Sequence, residues 1–272
     1  MEKPVAFAVA AHPDDIEFMM SGTLMLLGEC GYELHVMNVA NGNCGSAVED
    51  GPATAARRFG EAQEAAAAMG ATLHPPLTND LEILYSLPLL RGLGAVMRAV
   101  RPTVVLTQSP ADYMEDHMIA CRLAVTAAFS RGMRNFITDP ETPPVAGEVA
   151  VYHALPYGLC DGFGHPVRPD FCVDVESVLA RKRAALACHR SQKEWLDTSQ
   201  GLDSYLVAME DMCHETGRRS GRFNCAEGWR RHAHLGFSEP GFDPIAAALG
   251  ARVCNVPDQT GDQDGGRPER KI

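Results

Sequence analysis

Seven consecutive apolar residues, Val5 to Ala11, run straight into His12-Pro13-Asp14-Asp15, and this junction constrains the fold more than any other stretch of the chain. An apolar run without alternation suits a strand covered on both faces, as parallel strands of α/β sheets are. A helical pattern follows from about Glu17 to Cys30 and stops at Gly31. Glu33 to Ala40 reads as a second strand. After a polar loop, Asn41 to Gly51, an Ala-rich helix spans Ala53 to Met69 and a short third strand lies near Thr72 and Leu73. Leu87 to Val100 is again helical, Thr103 to Thr107 is another buried-type strand, and a helix from about Asp116 to Gly132 follows the polar loop SPADYMEDH.

Strands that alternate with helices imply parallel pairing through right-handed crossovers. The second half is less regular, with a Pro-rich connection, strand candidates at Val149 to Ala154 and Phe171 to Val175, and a helix from about Val178 to Leu196. The expected fold is α/β: a Rossmann-like, doubly wound, mostly parallel sheet with helices on both faces. It is expected to form one domain over residues 1–254 with an elaborated C-terminal half. Residues 255–272, rich in Gly, Asp and Pro and poor in apolar residues, are expected to be a flexible tail.

Charge and cysteine usage exclude several functions. The net charge is −11 without a Lys/Arg block, so no field attracts a phosphate backbone and nucleic acid is not an expected partner. No apolar stretch reaches the 18 or so residues of a membrane span, so no membrane partner is expected. Nine cysteines without a CxxC pair suit reduced thiols and a cytoplasmic location. A nucleotide-binding module is a remote alternative, because HPDD stands where the G-x-G-x-x-G fingerprint belongs. Asn41-Gly42-Asn43-Cys44-Gly45 is a poor substitute, since it follows the second strand and opens no immediate helix.

Both polar loops that follow buried strands should open at the same edge of the sheet, where α/β proteins gather ligands. His12 and Asp15 from one loop and His117 from the other supply two nitrogens and a carboxylate oxygen for a metal ion, leaving a fourth position for water. Asp14, directed elsewhere, is the candidate general base, and an amide is a substrate that such chemistry would hydrolyse. The same segments also suit structural roles: Asp14, Asp15 or Asp116 as helix caps, and His117 as a packing residue.

AHPDDIEFMMSGTL resembles the opening motif of the LmbE-like, or PIG-L-type, zinc-dependent N-deacetylases. DYMEDH resembles that family's HPDH loop, RRFGEAQEAAAAMGA its Arg-x-x-Glu-Ala helix, and KRAALACHRSQ its later Lys-x-x-Ala helix with a His-x-Ser-Gln ending. The resemblance implies a zinc-dependent N-deacetylase acting on a linear amide, with an N-acetylated amino-sugar or a small conjugate as substrate. His12, Asp15 and His117 would hold zinc, or another divalent transition metal that such donors accept. Asp14 would be the base. Arg58 matches an arginine expected near the substrate, although Arg58 and Glu61 also read as a surface pair three residues apart. Asp80 matches an aspartate of the family or serves a turn. His189 suits a helix end, and a homo-oligomer is compatible with the resemblance.

The chain departs from the family pattern at Met20-Ser21, where two glycines are usual, and at Met114, where a histidine usually acts as acid or oxyanion donor. A thioether donates no proton. The expected replacements are Tyr113, counted with Arg58 as a substrate-binding residue, or His232 or His234. Asp14 shuttling the proton alone is a further route. Asp116 joins Asp14 in the expected catalytic set, with orientation of a neighbouring imidazole as its task. The alternative that Met114 raises is a metal-binding relative with weak or lost deacetylase activity.

Overall fold

A computed structural model describes residues 3–193 and 204–257. An eight-stranded sheet has the order β3-β2-β1-β4-β5-β7-β6-β8. Its strands are β1 (Val5–Ala10), β2 (Glu33–Asn38), β3 (Thr72–His74), β4 (Val104–Thr107), β5 (Ala150–Ala154), β6 (Phe171–Asp174), β7 (Ala226–Arg231) and β8 (Val253–Asn255). The first five pair in parallel. β7, β6 and β8 extend the sheet antiparallel beyond β5, which is the elaboration of the C-terminal half. The doubly wound α/β fold is therefore as expected, with a mixed far edge.

The helices are α1 (Asp15–Met19), α2 (Ser21–Glu29), α3 (Gly51–Met69), α4 (Leu87–Val100), α5 (Glu115–Ser130), α6 (Leu179–Leu186), α7 (Ser204–Ser220) and α8 (Pro244–Leu249). Alternate side chains of β1 enter different cores, which explains its unbroken apolar run. Ala6, Ala8 and Ala10 face the layer containing α2, α6 and α7, whereas Phe7, Val9 and Ala11 face α4 and α5. No helix of the described residues is long and apolar enough to cross a membrane.

The helix expected from Glu17 to Cys30 is broken at Met20, whose φ of −132° is not helical. The cause lies far away in sequence. Glu227 on β7 reaches the start of α2 and accepts the N–H groups of Gly22 (2.8 Å) and Thr23 (2.7 Å), which supplies the carboxylate that a helix N-terminus favours. Gly22 admits this contact, since a Cβ there would lie 2.9 Å from Glu227 Oε1 and 2.7 Å from Val175. Lys182 on α6, fully buried, donates to Glu227 Oε1 (2.6 Å) and to the Phe18 carbonyl (2.9 Å). The lysine of the later family-like motif is thus a structural tie that holds α1 and α2, and with them the HPDD loop, against the sheet.

At the C-terminal end of β5, His153 is buried, 3.1 Å from the Gln108 carbonyl through Nδ1 and 3.0 Å from His232 Nδ1 through Nε2. Neutral rings satisfy both contacts, His153 donating from Nδ1 to the carbonyl and pairing with His232 through Nε2. Burial, reinforced by His232, pulls the His153 imidazole down to about 4. A depressed histidine stabilises the fold fully above its unfolded pKa near 6.5 and loses that contribution as pH falls toward 4. Urea unfolding is therefore expected to show stability dropping between those limits, on the order of 3 kcal/mol from this site. His153→Asn should flatten that slope.

Candidate functional site

Strand order places the site. From β1 the chain winds outward through β2 and β3, then α4 carries it back across to β4 on the other side of β1. The crevice at such a reversal opens at the C-terminal ends of the two central strands. His12 follows β1, and the loop that ends in His117 follows β4. The two strand ends are tied together: the Ala11 N–H donates to Gln108 Oε1 (2.8 Å), and Asn38 Nδ2 donates to the His12 carbonyl (2.6 Å).

His12, Asp15 and His117 meet there, each offering a ligand atom within 4.8 Å of the others. Asp15 stands between the rings, 3.6 Å from His12 Nδ1 and 3.4 Å from His117 Nε2, while its Oδ2 accepts the His12 backbone N–H (2.7 Å). The outer nitrogen of each ring is held by a carboxylate, His12 Nε2 by Asp116 (2.9 Å) and His117 Nδ1 by Asp112 (3.0 Å). That arrangement fixes the tautomer and turns the inner nitrogens toward a common point, as histidines that bind metals require. The donor set fits a divalent transition metal.

Electrostatics agree with that fit. Burial alone would pull His12 down, but its hydrogen bonds to Asp116 and Asp15 outweigh this and push it up to about 10. Burial opposes ionisation of Asp15 too, yet His117 and His12 hold its carboxyl well below the usual range. The cluster is built to hold positive charge.

Asp14 is set apart from the three. Its φ of +109° is a left-handed conformation costly for a residue with a Cβ, on the order of 1–3 kcal/mol. That twist sends its carboxylate away from Asp15, to accept the Tyr205 hydroxyl (2.8 Å) and to lie 3.5 Å from Arg58 Nη2. Burial raises the Asp14 pKa above the ordinary carboxylate value, and Arg58 offsets part of the rise. Arg58 is buried, not on the surface, and donates to the carbonyls of Pro13 (2.5 Å) and Gly42 (3.3 Å). Gly42, at φ +79°, gives it room, since a Cβ there would lie 2.7 Å from Arg58 Cδ. The glycine-containing loop after β2 therefore packs on an arginine.

The remaining motif residues hold that loop and tie α3 to the segment after α6. Asp80 accepts the N–H groups of Gly42 (2.7 Å) and Cys44 (3.1 Å). Glu61, buried like Arg58, accepts the Ser191 hydroxyl (2.6 Å), and Gln192 donates to the Gly45 carbonyl (3.0 Å). His189 is fully buried, 3.4 Å from Glu17, and is not among the lining residues. His232 and His234 line a separate cavity of about 290 Å³ beside Val149 and Phe237, so neither takes the place of the missing histidine. Met114 lines the cavity over the His12, Asp15 and His117 cluster, as does Tyr113, whose ring meets His117 edge-on at 5.5 Å. This cavity is about 590 Å³. Tyr205 and Asp112 were not singled out by sequence: Tyr205 lies 191 residues from its partner and carries no local signal. Asp112 stands within the His117 loop five residues away, a spacing that acquires meaning only once the loop turns.

Removing one outer carboxylate tests the two-layer arrangement. Asp112→Asn is expected to weaken zinc affinity by about 10–100-fold in a competitive chelator titration. An unchanged affinity would show that His117 is not oriented this way.

Fold and site together define a doubly wound α/β protein with a candidate metal centre at the reversal of strand order. Residues 7–129 match the family model described as PIG-L: GlcNAc-PI de-N-acetylase, in line with the resemblance carried by the motifs. Among its relatives, the 4-oxalmesaconate hydratase of Pseudomonas putida is 29% identical over 198 residues, covering 69% of this chain and 74% of the relative. The diacetylchitobiose deacetylase of Thermococcus kodakarensis is 27% identical over 191 residues, covering 68% of each. The crystal structure of the 4-carboxy-2-hydroxymuconate hydratase from Pseudomonas putida superposes with a TM-score of 0.70 at 24% identity, over 85% of this chain and 97% of that one. The relatives thus include both a deacetylase and a hydratase.

Proposed function

We propose that this protein is a metal-dependent hydrolase that removes an N-acetyl group from an amino-sugar or a related small amine, with zinc as its metal. The observation that carries the reading is the convergence of His12, Asp15 and His117 with the separate carboxylate of Asp14 alongside. A zinc ion held by those three residues would supply Lewis acidity and lower the pKa of water from 15.7 to about 7.

The protein's own groups do the rest. Asp14, held by Tyr205 and Arg58, takes a proton from the attacking water as its oxygen adds to the acetyl carbon. The raised pKa of Asp14 keeps it basic enough for that transfer and lets it return the proton to the nitrogen as the C–N bond breaks, releasing acetate and a free amine. Desolvation near the cluster and the charge of Asp15 raise the pKa of the half-exposed Tyr113, so its hydroxyl stays protonated. It is the donor we assign to the carbonyl oxygen in place of the histidine that Met114 replaces. Asp112 and Asp116 orient the two imidazoles and touch no reacting atom.

The test is acetate release from diacetylchitobiose and N-acetylglucosamine by the zinc-loaded chain. Acetate is the expected product, abolished by a chelator and restored by zinc. A second reading, hydration of a conjugated carbon–carbon double bond, is favoured by the hydratase relative and by Met114. Loss of ultraviolet absorbance from an unsaturated hydroxy acid, with no acetate from any amide, would establish that reading instead.

A further inference from the structure

The two walls of the main cavity differ in kind. One carries carboxylates and a single guanidinium. The other is apolar, formed by Phe18, Tyr113, Leu155, Pro156, Tyr157 and Ala208. Three rings line up along it: Phe18 and Tyr157 have centroids 5.3 Å apart, Tyr157 and Tyr113 6.1 Å, and Tyr113 reaches His117 at 5.5 Å. Tyr113 and Tyr157 are 58% and 44% exposed, so an aromatic path with uncovered faces leads outward from the metal cluster.

The charges point the same way. Among the described residues, Arg58 is the one Lys or Arg side chain lining the cavity, and it is engaged by two carbonyls and Asp14. Asp14, Asp15, Asp80, Asp112 and Asp116 surround the cluster. Five carboxylates against one guanidinium and a divalent ion leave the centre negative even with Asp14 protonated, in a chain whose net charge is −11. Among the described residues lining the cavity, no free cation stands ready for a phosphate or a carboxylate, which such sites usually clamp with Arg or Lys.

We infer that the substrate is an uncharged N-acetylated amino-sugar, free of phosphate and carboxylate, that carries an aromatic or other flat apolar group on the side away from the acetyl. This rests on the deacetylase reading. The acetyl nitrogen faces the metal cluster while the apolar group lies along Tyr113 and Tyr157, where offset or edge-on ring contacts add to the burial of area.

Calorimetry on the zinc-loaded full chain tests this with three probes: para-nitrophenyl N-acetylglucosaminide, free N-acetylglucosamine and N-acetylglucosamine phosphate. The aryl compound is expected to bind about tenfold tighter than the free sugar and the phosphate about tenfold weaker, each step being the size of one good ring contact or one unpaired charge. Tyr157→Ser should shrink the aryl-to-sugar ratio to near unity. Equal or tighter binding of the phosphate, absence of aryl preference, or a ratio unmoved by Tyr157→Ser would overturn the inference. Acetate measured in the same samples separates the two claims. The expected binding order without acetate from any probe refutes deacetylation and keeps the cavity assignment, whereas acetate with the reverse order does the opposite.

Discussion

Asp14→Asn is expected to lower kcat by about a hundred- to ten-thousand-fold, the range for loss of a general base, while leaving the bound metal in place. Asparagine is the informative replacement because position 14 has φ +109°, and Asn tolerates the left-handed region better than alanine. An amide keeps the Tyr205 hydrogen bond and the size of the side chain but takes no proton. Steady-state kinetics beside elemental analysis decide it. Full turnover would remove Asp14 from the mechanism, and loss of metal together with turnover would make it a ligand. A fall in kcat at unchanged metal content separates its role from those of His12, Asp15 and His117, whose alanine variants should lose both.

Lys182→Met is expected to have the largest effect on stability. Lys182 and Glu227 are both buried and joined at 2.6 Å, and Glu227 also holds the first N–H groups of α2. Removing one partner of a buried pair strands the other charge, at a cost of about 3–5 kcal/mol. Urea unfolding should show that loss in the single variant. Lys182→Met combined with Glu227→Gln should recover part of it, because no unpaired charge then remains, and the difference gives the coupling between the two sites. A single variant within 1 kcal/mol or so of the parent would show that the pair is not desolvated. Since Lys182 also holds the Phe18 carbonyl, a partly folded variant should show a raised KM.

The parts of the fold that were legible are those in which local pattern and tertiary role coincide. The Val5 to Ala11 run gave away a strand covered on both faces, and its position directly before HPDD put His12 and Asp15 at a strand end. TVVLT did the same for the loop bearing Asp112, Asp116 and His117. The family's motifs marked Arg58, Lys182 and Ser191, but their jobs were hidden, because each acts on a residue more than 40 positions away. The break at Met20 was invisible for a similar reason: its cause, Glu227, lies on β7, 205 residues from its partner Gly22. His232 and His234 looked available to the site from sequence, since nothing in the chain says which cavity a strand's end will face. β7 turns them to the other one.

The proposed chemistry requires a single metal position. Anomalous diffraction at the zinc edge from zinc-soaked crystals addresses it directly. One dominant peak is expected between His12 Nδ1, Asp15 and His117 Nε2, with Asp14 outside bonding distance of it. A peak elsewhere, or one in which Asp14 is a ligand and His117 is not, would contradict the site and the chemistry built on it.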